Sequence, residues 1–273
     1  MKKTFFLVGF VLVAQCKSYI AESNVVSLNE TGWIKGELQE NELYPGPNHS
    51  YFRFHGIPYA EPPVDKLRFM LPVPYSVSKY GDKSNPYDAS NKSYPDGIGY
   101  VCPQLDEAHT IEVTSTNEDC LHLSIYTPKI NPNKTDTLLP VLVWIHGGHF
   151  ISGSGAYQYH GPERFMKDKD IVMVSINYRL GTLGFLSLGT PELPGNAGLW
   201  DQVEALRWIQ ANIKYFGGDN KKVTIMGESA GSWSVMYQLL SPASAGLFQR
   251  VISQSGTPMS PAYHEYSQDK ATE

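Results

Sequence analysis

The strongest constraint on the fold lies at residues 223–231, which read VTIMGESAG. A short β-branched run is typical of a buried strand, and the residues from Ser232 onward are compatible with the start of a helix. A strand, a sharp turn and a helix form the setting of a nucleophile elbow, in which the turn would raise Ser229 from the sheet and flanking glycines would leave room for it. Gly-x-Ser-x-Gly occurs by chance in roughly one chain in ten of this length. The rest of the chain must therefore decide whether Ser229 is a nucleophile.

Apolar runs elsewhere predict further strands of the same sheet. Residues 138–145 and 171–176 are almost continuously apolar, as expected of strands covered on both faces, and residues 250–255 predict one more buried strand. Apolar side chains recur at helical spacing from Leu199 to Ile213, which predicts a helix ahead of the elbow strand. Strands that alternate with helices indicate an α/β fold with a doubly wound, mostly parallel sheet.

Shorter extended runs precede these strands. Residues 33–39 and 51–55 predict an antiparallel hairpin, which is followed by a proline-braced loop. Residues 121–126 alternate in polarity, which predicts a half-buried strand whose His122 points outward and has no catalytic role.

A glycine-rich turn, His-Gly-Gly-His-Phe at residues 146–150, follows the strand predicted over 138–145. Such a turn at the carboxyl end of a parallel strand can direct backbone N–H groups into a cleft and form an oxyanion hole for acyl transfer. An ordinary tight turn would have the same composition, so the turn alone leaves both interpretations open.

The N-terminus has the pattern of a secretory signal peptide. Lys2 and Lys3 precede an apolar run over residues 5–14, and small residues follow up to Ser18. We expect residues 1–18 to be removed and residues 19–273 to belong to one domain of a secreted protein. The run is shorter than the roughly 18–20 apolar residues of a membrane-spanning helix, and no later stretch is longer.

Secretion gives meaning to the cysteines and to the glycosylation motifs. Cys102 and Cys120 remain after removal of the signal peptide, and in an oxidising compartment two such cysteines most simply pair, whereas a metal site would need more ligands. Asn-x-Ser/Thr motifs predict glycosylation in polar, turn-like segments. They begin at Asn29, Asn48, Asn91 and Asn133.

The formal net charge of −5 excludes an extended basic surface for nucleic acid or an anionic membrane. The sequence also contains no signal for a particular oligomeric state.

Seven motifs occur at intervals along the chain. They are FHGIPYAEPP at 54–63, EDCL at 118–121, WIHGG at 144–148, NYR at 177–179, PGNAGLWDQ at 194–202, FGGD at 216–219 and GESAG at 227–231. Their order and spacing resemble one family, the type-B carboxylesterases, which are α/β-hydrolases that include cholinesterases and insect juvenile hormone esterases. The likeness extends from about residue 30 to the end of the chain.

The resemblance implies a carboxylic ester hydrolase that uses a serine acyl-enzyme and a small-molecule ester substrate, with no cofactor or metal. It implies that Ser229 is the nucleophile and that the backbone N–H groups of Gly148, His149 and Ala230 form the oxyanion hole. It further implies a Cys102–Cys120 disulfide, a structural ion pair between Arg68 and Glu118, and a position beside the nucleophile for Glu228.

Three departures from the family pattern bear on the substrate. His149 stands where many members have glycine or alanine, so its imidazole would narrow the mouth of the acyl pocket. No tryptophan lies between Cys102 and Cys120, so choline esters lack the aromatic platform that would hold their ammonium group there. Glu228 stands where juvenile hormone esterases typically have glutamine, which disfavours juvenile hormone less strongly.

The family order places an acid and a histidine more than about a hundred residues after the nucleophile. We interpret the sequence, which ends at Glu273, as the N-terminal part of the domain, incomplete at its C-terminal side and lacking both residues. Loss of one triad member costs roughly six orders of magnitude in turnover, so this stretch alone is expected to be inactive. The alternatives are a cholinesterase-like adhesion or binding protein without catalysis, and a genuinely truncated product.

Overall fold

A computed structural model describes residues 24–90, 101–104, 116–131, 133, 136–155, 161–168 and 170–258. The strands are β1 (Val25–Leu28), β2 (Gly32–Lys35), β3 (Glu37–Gln39), β4 (Tyr51–Pro58), β5 (Tyr87–Asp88), β6 (His122–Thr127), β7 (Leu139–Ile145), β8 (Val172–Ile176), β9 (Gly218–Glu228) and β10 (Arg250–Gln254). The α-helices are α1 (Glu163–Met166), α2 (Gly181–Phe185), α3 (Ala197–Asn212) and α4 (Ala230–Leu240). Short 3₁₀ helices cover Pro47–His49, Asp65–Leu67, Val77–Tyr80, Ile213–Phe216 and Pro242–Ser244.

The main sheet has the strand order β10-β9-β7-β8-β6-β4-β3. Strands β10, β9, β7 and β8 are parallel to one another, whereas β6, β4 and β3 continue the sheet in antiparallel fashion. The predicted α/β fold is confirmed, and the parallel half carries the elbow at the carboxyl end of β9. No helix in the described part of the chain is long and apolar enough to cross a membrane.

The N-terminal hairpin differs from the prediction because Gly36 divides residues 33–39 into two strands. β3 pairs with β4 as expected, but β2 pairs with β1 and β5 in a separate three-stranded sheet. A side chain at Gly36 could not be accommodated, since its Cβ would lie 2.5 Å from the carbonyl oxygen of Arg53.

The core lies on both faces of the main sheet. On one face Val143, Val174 and Ile225 pack in a large cluster with Leu206 and Ile209 of α3. A smaller cluster on Trp144 and Met173 includes Tyr51, Tyr126 and Met166. Because strands in the middle of such a sheet are covered on both sides, their side chains are buried irrespective of which face they occupy.

Two predictions about burial are wrong because burial depends on where a strand lies in the sheet. His122 is 5% exposed, because β6 lies between β4 and β8. Strand β10 is mostly exposed, with Ile252 at 42%, because it is the edge strand of the described sheet and pairs there with β9 alone.

Candidate active site

Ser229 occupies the sharp turn between β9 and α4, as the sequence predicts. Its backbone has φ 54° and ψ −122°, a combination that residues with a side chain rarely adopt. The residue is half-buried, whereas Ala230 beside it is fully buried. Strain of this kind persists only where the surroundings hold it, and it is concentrated at functional sites.

Gly227 and Gly231 make this turn possible because no side chain fits at either position. A Cβ on Gly227 would lie 2.2 Å from the carbonyl oxygen of Gly231. A Cβ on Gly231 would lie 2.1 Å from the carbonyl oxygen of Ile145, the last residue of β7. The elbow is therefore packed backbone to backbone against the strand that leads into the glycine-rich turn.

The glycine-rich turn lies directly against the elbow. A Cβ on Gly147 would be 3.2 Å from Cβ of Ser229 and 2.7 Å from the carbonyl oxygen of Glu228. The next three residues all have positive φ: 99° at Gly148, 56° at His149 and 62° at Phe150. Consecutive residues in this region turn the backbone sharply, and the His149 side chain is exposed.

Neighbouring residues hold the glycine-rich turn in place. The His146 ring stacks on Tyr178 with 4.4 Å between ring centroids, and the Tyr178 hydroxyl donates to the His146 carbonyl oxygen at 2.9 Å. The backbone N–H groups of Ile151 and Ser152 donate to the Gly148 carbonyl oxygen at 3.0 and 2.9 Å. The turn is thus anchored at both of its ends.

Strand β10 anchors the elbow from the other side. The backbone N–H of Ser229 donates to the carbonyl oxygen of Gln254 at 2.9 Å, and that of Trp233 donates to the Ser229 carbonyl oxygen at 3.0 Å. Both polar groups of the Ser229 backbone therefore have partners, which leaves its side chain as the group presented by the turn.

Arg179 and Asp201 form a buried ion pair to which sequence reasoning assigned no role. Their side chains are 3% and 0% exposed. Nearby, the Tyr59 hydroxyl donates to the carbonyl oxygen of Asn177, whose side chain accepts from the N–H of Gly155. The sequence showed only that Arg179 and Asp201 lie inside two of the family motifs, with no indication that they pair.

The disulfide and the second ion pair form as the resemblance implies. Cys102 and Cys120 are joined with 5.0 Å between their Cα atoms. Arg68 and Glu118 make a bidentate pair with N–O distances of 2.6 and 2.8 Å, and both side chains are partly exposed. Because the pair is accessible to water, its contribution to stability is small.

The glycosylation motifs are placed as follows. Asn29 lies in the exposed turn between β1 and β2, Asn48 is exposed in the first 3₁₀ helix, and Asn133 is also exposed. Asn91 and the expected signal peptide, residues 1–18, lie outside the described residues.

The described histidines include one with a strongly altered pKa. Burial lowers the pKa of His122 to about 4, and its Nε2 atom lies 3.6 Å from Oδ1 of Asp119. Within the described residues no cluster of three or more His, Cys, Asp or Glu side chains could hold a metal ion.

Comparison with known proteins gives a consistent result. Residues 22–273 match the profile of the carboxylesterase family. The chain is 45% identical over 219 residues to a juvenile hormone esterase of Tribolium castaneum, covering 79% of this chain and 34% of that protein. It is 44% identical over 244 residues to venom carboxylesterase-6 of Apis mellifera, covering 88% of this chain and 40% of that protein.

Among solved structures, a thermophilic PNB esterase matches with a TM-score of 0.72 and 35% identity, covering 86% of this chain and 44% of that one. The chain thus spans between about a third and two fifths of the length of these two curated relatives.

Proposed function

Because this chain belongs to the carboxylesterase family, we propose that the whole protein hydrolyses small-molecule carboxylic esters through an acyl-enzyme on Ser229. The observation that carries the proposal is the strained backbone of Ser229, at φ 54° and ψ −122°, beside the turn of Gly147 and Gly148. A non-catalytic binding protein would have no use for this strain, so the geometry favours the esterase over that alternative.

The chemistry follows from the elbow. The Ser229 oxygen attacks the ester carbonyl carbon while its proton passes to a base, and the carbonyl oxygen becomes an oxyanion. The carbon–oxygen bond to the alcohol then breaks and the alcohol takes up the proton, which leaves the acyl group on Ser229. Water attacks that acyl group in the same manner and releases the acid.

We assign stabilisation of the oxyanion to the backbone N–H groups of Gly148, His149 and Ala230. Ala230 is the first residue of α4, so its N–H group also lies at the positive end of the helix dipole. Preorganised donors of this type each contribute about 10²–10³ in turnover, because they need no reorganisation when charge develops.

The base and its orienting acid are proposed to belong to the part of the longer relatives that this chain does not span. Sequencing the transcript beyond the codon for Glu273 tests this assignment. We expect the reading frame to supply an acidic residue and then a histidine; a stop codon directly after Glu273 would contradict it.

The ester substrate is proposed to have a small acyl group and an uncharged alcohol. The exposed imidazole of His149 narrows the acyl side, and residues 102–120 contain no tryptophan to bind a quaternary ammonium. The relatives are named for substrates that include juvenile hormone and acetylcholine, and neither of these is favoured here.

Secretion and glycosylation are part of the same proposal. Residues 1–18 act as a signal peptide and residues 19–273 belong to the mature domain. The disulfide, the exposed Asn29, Asn48 and Asn133, the sequon at Asn91, and relatives that include a venom enzyme support this interpretation.

A fluorophosphonate probe, which reacts only with activated serines, tests the catalytic assignment in the full-length protein. We expect labelling to map to the peptide that contains Ser229 and to disappear in Ser229→Ala. The matched control is Ser241→Ala, which removes a serine at the end of α4 and should leave labelling intact. Labelling that persists in Ser229→Ala would refute the proposal.

A further inference from the structure

The turn that follows β10 contacts the elbow at two points. Gln254 accepts the backbone N–H of Ser229 at 2.9 Å. The backbone of Gly256 lies against the other polar group of the same residue, since a Cβ on Gly256 would be 2.8 Å from the Ser229 carbonyl oxygen. Between them Ser255 has φ 59°, so this turn is itself strained.

Two serine hydroxyls hold this turn closed. The Oγ atoms of Ser232 and Ser253 are 2.6 Å apart, and each lies 3.0 Å from the carbonyl oxygen of Gly256. The two hydroxyl groups have two protons for these three contacts. Either both hydroxyls donate to the Gly256 carbonyl oxygen, or one donates to Gly256 and accepts a hydrogen bond from the other hydroxyl. The carbonyl oxygen of Gly256 keeps a donor in each arrangement.

The hydroxyl pair joins the two elements that flank the nucleophile. Ser232 lies in the first turn of α4 and is fully buried, whereas Ser253 lies on β10 opposite Gly227 of β9. A serine at this position of a helix commonly bonds its own backbone, but the Ser232 hydroxyl is directed to Ser253 and Gly256 instead. The contact therefore crosses between elements and does not cap the helix.

We infer that Ser232 and Ser253 are positioning residues for Ser229. They fix the turn at 254–256, and that turn holds the N–H of Ser229 through Gln254 and contacts its carbonyl oxygen through Gly256. An unfavourable φ at Ser229 is maintained only if several contacts determine it together. The inference rests on the proposed function, because it concerns the geometry from which Ser229 attacks the ester.

Ser253 allows a matched test because its side chain is exposed in the described structure. Ser253→Thr keeps the hydroxyl group. Ser253→Val introduces a side chain of the same shape as threonine but without the hydroxyl group. Ser232→Ala removes the other hydroxyl. Its control is Ser234→Ala, which removes a fully buried hydroxyl from the same helix; that hydroxyl accepts a hydrogen bond from the side chain of Gln202.

The readouts in the full-length protein are kcat, KM, the rate of fluorophosphonate labelling and the midpoint of thermal unfolding. Because small misplacements of a reacting atom have large effects on rate, we expect kcat to fall about tenfold in Ser253→Val and Ser232→Ala with KM unchanged. Ser253→Thr and Ser234→Ala should retain the wild-type kcat. The double variant Ser232→Ala/Ser253→Val should fall further than either single variant, since each single variant keeps one hydroxyl that donates to Gly256 and the double variant keeps none.

Equal kcat values in Ser253→Thr and Ser253→Val, or in Ser232→Ala and Ser234→Ala, would overturn the inference. The inference would also be overturned if the decrease in kcat were proportional to the decrease in the midpoint of thermal unfolding, because a purely structural role would produce that result. These results are distinct from failure of the proposed function, in which the wild-type protein itself would not be labelled at Ser229.

Discussion

Arg179 and Asp201 form three hydrogen bonds with each other in the interior of the protein. The backbone N–H and Nε of Arg179 donate to Oδ2 of Asp201 at 3.0 and 2.7 Å, and Nη2 donates to Oδ1 at 2.6 Å. Asp201 lies in α3, and Arg179 follows β8 and precedes Gly181, whose N–H donates to the carbonyl oxygen of Phe150 at 2.7 Å. The pair therefore connects α3 to the glycine-rich turn beside Ser229.

Asp201→Asn should destabilise the protein by about 3–5 kcal/mol, because it leaves the Arg179 guanidinium buried without a counter-charge. The measurement is the free energy of unfolding from denaturant titration of the full-length protein. Lys222→Gln is the control: it removes one partner of an exposed ion pair with Asp219 and should change little.

A second variant separates charge from packing at the same site. Arg179→Met/Asp201→Leu replaces both charges by apolar groups, so it should be less destabilised than Asp201→Asn. A double variant that is destabilised at least as much as the single one would show that the uncompensated charge is not the cause.

Removal of the Cys102–Cys120 disulfide should destabilise the protein by about 3 kcal/mol, because the bond closes a loop between residues that are 18 apart and so restricts the unfolded chain. The comparison is between the wild-type protein and Cys102→Ala/Cys120→Ala in denaturant. A reducing agent should lower the unfolding midpoint of the wild type and leave that of the double variant unchanged. An unchanged wild-type midpoint would contradict the prediction.

Local sequence predicted those parts of the site that depend on local chemistry. The turn at Ser229 could be predicted because only glycine fits at 227 and 231. Strands β7 and β8 could be predicted because their apolar runs are long. The two charged pairs are different: the resemblance identified Arg68 with Glu118, but nothing in the local pattern indicated that Arg179 meets Asp201.

Burial could not be predicted in the same way because it depends on the order of strands in the sheet. Alternating polarity suggested that His122 is exposed, yet β6 lies between two strands and is covered on both faces. The apolar residues of β10 suggested a buried strand, yet the strand is exposed because it lies at the edge of the sheet that the structure describes. The contact between Ser232 and Ser253 was missed for a related reason, since it depends on the pairing of β10 with β9.

Gly231→Ala should abolish fluorophosphonate labelling, because its Cβ would lie 2.1 Å from the Ile145 carbonyl oxygen and would force the elbow away from β7. Gly246→Ala is the control for the conformational cost alone: Gly246 has φ 82°, but no atom of the described residues lies within 4 Å of an added Cβ. It should cost roughly 1 kcal/mol of stability and leave labelling intact. Normal labelling of Gly231→Ala would mean that the elbow tolerates displacement.

The buried His122 should make the protein less stable in mild acid. Burial lowers its pKa to about 4 from the ordinary 6.5, so between these values the unfolded chain binds a proton that the folded protein does not. The contribution to stability is therefore fully present above about pH 6.5 and is lost as the pH falls towards 4, by up to about 1.4 kcal/mol for each pH unit. Asp119, 3.6 Å from the imidazole, reduces this loss only in part, because its own side chain is 43% exposed.

Unfolding free energies of the wild type and His122→Leu at several pH values isolate the effect, since all other titrating groups are common to both. We expect the free energy of the wild type to fall more steeply below pH 6.5; equal slopes would mean that His122 is protonated in the folded protein as readily as in the unfolded chain.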